Sequence, residues 1–118
     1  MNRRLADWLS LLLIAFSFAF AAVMYPFLPE LIPTHWNAAG NVDNYSPKPW
    51  GVFLLPAIAW MVFVLMKLIP VISPKGFRTD QFMEVVRLFQ VAFVAFVAVL
   101  TVMTLLYAAG YQIDMPRF

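Results

Sequence analysis

No cysteine occurs among the 118 residues, which excludes disulfides, thiolate nucleophiles and thiolate metal ligands. Charge is scarce as well. Charged residues make up 12% of the chain, with a formal net charge of +2; a soluble domain carries about 25%. The basic residues are scattered, and no basic patch alternates with aromatics, so nucleic acid is not an expected partner. There is a single histidine, His35, and no HExxH pair, so a zinc-enzyme motif is missing. No acid, histidine or arginine lies at the centre of any apolar run. Proton relays, voltage sensors and ion paths need such groups, so a transporter or pump built from one chain is not indicated.

What is present is apolar. Hydrophobic residues account for 64% of the chain, more than a water-soluble fold of this length can bury. Three runs stand out: Trp8–Tyr25, Trp50–Ile69 and Leu88–Gly110. Each approaches the roughly 20 residues that a helix needs to cross about 30 Å of hydrocarbon. None alternates with period two, as a barrel strand does. A helix pairs its own backbone in lipid, so the expected fold is an all-α membrane protein. It has three transmembrane helices, an ordered extracytoplasmic loop between the first two, and a single domain over residues 1–118. Arg3, Arg4, the apolar run and Ala19–Ala21 also fit a signal peptide. The reading adopted is a retained first span.

Prolines 26, 29 and 33 should end the first helix near Tyr25, and Pro70 and Pro74 should end the second. Pro56 predicts a kink within the second. Small residues four apart (Ala15 and Ala19, Ser17 and Ala21) predict close helix approach, as do Ala92, Ala95, Ala98, Thr101 and Thr104 in the third span. Trp8, Tyr25, Trp50, Tyr107 and Tyr111 fall near span ends, where amphipathic rings settle. Mid-span Trp60 is expected to pack against another helix, and Gln90 to pair across an interface or reach the headgroups. Before the third span, Thr79 offers a cap with Asp80 in the first turn, and Glu84 can pair with Arg87. A helical extension running into the span is expected.

Arg3, Arg4, Lys67, Lys75, Arg78 and Arg87 fall on one side of the membrane, and Lys48 and Arg117 on the other. This bias predicts a cytoplasmic N-terminus, with the first loop and the C-terminus outside.

The remaining polar chemistry is concentrated in one stretch, "YPFLPELIPTHWNAAGNVDNYSPKPW", residues 25–50. Gly40 suits a positive backbone angle, and Asn37, Asn41, Asp43 and Asn44 can close turns through their side chains. His35 and Asp43 allow several readings. They could form an acid–base pair, or a weak metal site with Glu30 or Asp114. They could equally hold the loop together, with His35 on a carbonyl and Asp43 on backbone amides. Lys48 could pair with a carboxylate or a lipid phosphate. Thr34 and Ser46 lack the setting of a nucleophile.

The pattern Leu28-Pro29, Ile32-Pro33, His35-Trp36-Asn37, Gly40, Asp43 and Lys48 resembles the N-terminal membrane module, of unknown function, in SdpI-like immunity proteins. The resemblance implies a bacterial cytoplasmic-membrane protein with several spans. It implies a non-enzymatic role: protection from an antimicrobial peptide, or signalling with a membrane-held regulatory protein. It supplies no catalytic residues, no metal and no cofactor. The larger immunity proteins continue with a second membrane region that these 118 residues do not contain. The candidate partner-binding or structural motif is Pro33, His35, Trp36, Asn37, Gly40, Asp43 and Lys48. Membrane lipids, a peptide or a regulator are the expected partners, and a homo-oligomer or a subunit role in a larger complex stays open. A membrane enzyme or metal-dependent factor using His35 and Asp43 is the alternative.

Overall fold

The computed structural model describes residues 2–72 and 80–112. The elements run α1 (Arg3–Met24), a 3-10 turn (Tyr25–Phe27), β1 (Leu31–Trp36), β2 (Val42–Pro47), α2 (Lys48–Ile72) and α3 (Asp80–Gln112). Thr79, Lys75, Arg78, Asp114 and Arg117, which figure in the expectations above, lie outside the described residues.

All three helices are long and apolar enough to cross a membrane. The molecule is a multi-pass membrane protein. Asn2 caps α1 by accepting the Leu5 amide at 2.7 Å. The helix gives way at Pro26 to the 3-10 turn, as the proline dictates. The second helix departs from expectation: it continues to Ile72, two residues past Pro70. In a last turn a proline forfeits a single hydrogen bond, which does not force termination. α2 is also unbroken at Pro56, whose ring is buried. α3 is one continuous helix of 33 residues, so the extension does run into the span. At about 1.5 Å per residue it is near 50 Å long and must project beyond the hydrocarbon.

α3 packs against both α1 and α2. The buried face of α1 is Ala6, Ser10, Ile14, Ser17 and Ala21. Of the two small-residue stripes expected there, Ser17 with Ala21 is the packed one, whereas Ala15 and Ala19 are exposed. In α3, Ala98 and Thr101 are buried and Ala92 is exposed. Ser10, Ser17 and Thr101 return their hydroxyls to carbonyls four residues back, at 2.8–2.9 Å, and so cost little in an apolar interface. One core cluster joins Ile14, Ala59, Phe63, Val94 and Val97 at mid-height. A second joins Ala21, Leu28, Ile32, Val52, Leu105 and Ala108 beneath the hairpin. Trp60 does not insert between helices. It is 48% exposed and stacks on Phe63 of its own helix, which turns it toward lipid.

The ordered loop expected between α1 and α2 is an antiparallel hairpin. Ile32 and Leu28 are buried in the upper cluster and pin β1 onto the helices. β2 lies mostly exposed. Gly51 permits the contact: a Cβ there would overlap the Ile32 side chain. At the base of the hairpin, the Lys48 amide donates to the Glu30 carbonyl at 2.8 Å.

Candidate functional site

The hairpin is shaped by its turn and by two irregularities. Asn37 to Gly40 form a turn closed by the Gly40 amide on the Asn37 carbonyl at 2.9 Å. Gly40 has φ +84, the left-handed conformation that glycine adopts without a Cβ penalty. The Asn37 side chain accepts the amides of Ala39 and Asn41, both at 3.0 Å, and so fixes the loop from within. Asn37 and Gly40 thus do what their residue types suggested.

Pairing runs Leu31 with Pro47, Ile32 with Ser46, Pro33 with Tyr45, then His35 with Asn44 and Trp36 with Val42. Thr34 and Asp43 are each passed over, one on either strand. These bulges cancel in register, and they re-aim side chains locally. Pro33, which has no amide to give, is accommodated beside the first. At the second, the Asp43 carboxylate swings against His35, with Nδ1 and Oδ1 2.6 Å apart. The two side chains remain 67% and 39% exposed. They point at each other and not at the carbonyl or amides that a purely local bracing role would use. Asp43 accepts a proton-bearing Nδ1, which leaves Nε2 as the imidazole's outward nitrogen.

Beside the pair, Pro33, Thr34 and His35 of β1 meet Gly51, Leu54 and Leu55 of α2 and Leu100 and Thr104 of α3 around a cavity of about 330 Å³. Its walls are largely aliphatic. The polar residues of its lining are Thr34, His35 and Thr104. Next to it, Leu100, Met103, Thr104 and Tyr107 line a further hollow of about 290 Å³, so the cleft continues along α3. Thr104 was expected only in helix packing and Leu100 not at all, because α3 meets β1 only through the tertiary fold.

Among the described residues Lys48 meets no carboxylate. Its ammonium lies 4.6 Å from the centre of the Tyr25 ring. That ring stacks on Phe53 at 5.9 Å, joining the end of α1 to the start of α2. Trp36 contributes the backbone pairing with Val42. Among the described residues, no three metal-ligating acids or histidines come together. Glu30 is exposed.

The opposite end of the bundle holds a polar group that sequence reasoning missed. Lys67 donates to both oxygens of Asp7 at 2.7 Å. Gln90, buried on α3, donates to the Ser10 hydroxyl at 2.9 Å and to Asp7 at 3.3 Å. Gln90 therefore pairs across an interface, one of its two expected roles. Asp7 passed unnoticed because it sits just before the first apolar run; an acid there, with a lone cation at the end of another run, was the available signal.

Residues 12–60 match the model of a family described as a domain of unknown function, DUF1648. The match begins within α1, takes in the whole hairpin and ends within α2. The matched residues include the stretch from Leu28 to Lys48 whose pattern resembles the SdpI-like proteins. No curated protein and no solved structure matches the chain.

Proposed function

We propose that this three-span membrane protein, with its SdpI-like module, is a non-enzymatic recognition protein. Its hairpin and the adjoining cleft take up part of an amphipathic peptide arriving from outside the cell. The observation that carries this reading is the cleft of about 330 Å³ with aliphatic walls and with His35, which Asp43 holds from behind, among its lining residues. An apolar side chain fits the walls, while a cationic or amide group meets the carboxylate and imidazole. Such a combination suits a membrane-active peptide, and it agrees with an immunity-like role. The excess of lysine and arginine at the other end supports a cytoplasmic N-terminus and an external hairpin.

The test is deletion of the gene, followed by exposure of the strain to the amphipathic peptides in its own culture supernatant. Sensitivity should rise, and the wild-type gene should restore resistance. Thr104→Phe, which fills the cleft, should reach the membrane at normal levels and restore little. Unchanged sensitivity on deletion, or full rescue by T104F, removes the proposal. Sidedness is tested separately with S46C and G76C and an impermeant maleimide: labelling of S46C alone in intact cells is expected.

A second reading has its own observation. Asp43 on Nδ1 orients the ring and leaves Nε2 facing away, the arrangement in which a histidine acts as a general base. Under that reading H35Q and D43N abolish function while leaving peptide binding intact. Under the recognition reading, they weaken binding itself.

A further inference from the structure

At the end away from the hairpin, each helix brings a cation to one cavity of about 190 Å³. Arg3 comes from α1, Lys67 from α2 and Arg87 from α3, with Gln90 beside them and Met66 and Met83 forming an apolar wall. Arg3 also borders a neighbouring hollow of about 250 Å³ together with Arg4 and Asp7. The charges do not cancel locally. Asp7 is bonded to Lys67 and Glu84 to Arg87. Arg3 and Arg4 have no acidic partner among the described residues, so the cavity keeps an excess of positive charge. Lys67 is held in place by Asp7, and its ammonium lies 6.0 Å from the Phe63 ring centre, so it is positioned before any ligand arrives.

We infer that this cavity is a binding site for the phosphate of an anionic phospholipid headgroup. A guanidinium presents paired N–H donors that match phosphate oxygens. Basic pockets between membrane helices near the cytoplasmic surface are suited to such headgroups. The space is too small for a folded peptide segment. The methionine wall accommodates the apolar glycerol ester region, and the acyl chains can run down the exposed face of α1 at Trp8 and Leu12. Free phosphate shares the headgroup's chemistry but has nothing to place on the methionines or on that face, so the lipid is the occupant.

The experiment uses the full chain purified in neutral detergent, with unfolding followed by tryptophan fluorescence. Phosphatidylglycerol, phosphatidylcholine and inorganic phosphate are titrated in separate series. Phosphatidylglycerol should raise the unfolding midpoint saturably, and the other two should not. Arg3→Gln should raise the half-saturating phosphatidylglycerol concentration about tenfold, equivalent to about 1.4 kcal/mol. Arg3 lies exposed in the first turn, so R3Q should unfold at the wild-type midpoint when no lipid is added. R3K, which keeps the charge, should recover part of the effect, and K48Q, at the hairpin end, should bind as wild type does. An equal response to phosphatidylcholine, a saturating response to inorganic phosphate alone, or an unchanged half-saturation in R3Q would each overturn the assignment.

Discussion

His35 and Asp43 are eight positions apart, and they meet because Asp43 occupies a bulge. Their exposure limits what the pair contributes to stability: ion pairs at such surfaces are worth about 0–1 kcal/mol. H35A and D43N should therefore leave the unfolding midpoint in detergent nearly unchanged. A large drop would mean that the pair braces the hairpin. Asn37 differs, because its side-chain oxygen satisfies two backbone amides. N37A leaves both exposed amides to water, at about 0.5–1.5 kcal/mol for each lost bond, whereas N37D keeps the acceptors. Amide hydrogen exchange at Ala39 and Asn41 should quicken in N37A and stay slow in N37D. At Gly40 nothing lies within 4 Å of a built Cβ, so the cost of G40A is purely the backbone's. That is about 1–2 kcal/mol, with G40N milder because asparagine tolerates the left-handed region.

Helix α2 and strand β1 touch at Gly51 and Ile32, and here two effects oppose each other. Alanine in a helix interior is favoured over glycine by about 1 kcal/mol. The new Cβ, however, would run into the branching carbon of Ile32, not a flexible tip, and overpacking of that kind costs about 1–3 kcal/mol. The clash should win. G51A is expected to loosen β1, seen as faster hydrogen exchange across residues 31–36. Unchanged exchange in G51A would show that the helix yields instead. The same junction explains what the sequence made legible. The spans could be read directly, because lipid demands long apolar runs whatever the tertiary fold. The strands could not: "LIPTHW" and "VDNYSP" carry proline, asparagine, aspartate and serine, which are poor strand formers. They pair because Ile32 is anchored in the helical core and the Asn37–Gly40 turn returns the chain. The Asn37 and Gly40 pattern identified the turn, and only the anchoring makes it a hairpin.

Across the whole molecule the two ends are built differently. The hairpin end is closed by apolar packing, and the other end by Asp7, Lys67, Gln90 and Ser10, drawn from all three helices. Sequence alone could place Lys67 on a side of the membrane but could not pair it with a residue 60 positions away, since that depends on helix rotation. The ammonium and carboxylate are 34% and 26% exposed, so neither is fully desolvated. Breaking a fully buried pair costs about 3–5 kcal/mol because one charge is left uncompensated. Partial exposure should reduce this to about 1–3 kcal/mol for D7N or K67Q alone. Removing both leaves no stranded charge, so the double variant should be more stable than the sum of the two losses predicts. A coupling of about 1–2 kcal/mol is expected from the four unfolding midpoints of the cycle. Losses that add within about 0.5 kcal/mol would mean that water already screens the pair, and that the Gln90–Ser10 bond is the stronger polar tie at this end. Q90L separates these cases: if the ion pair is the tie, Q90L costs less than D7N, and if the amide is the tie, the order reverses.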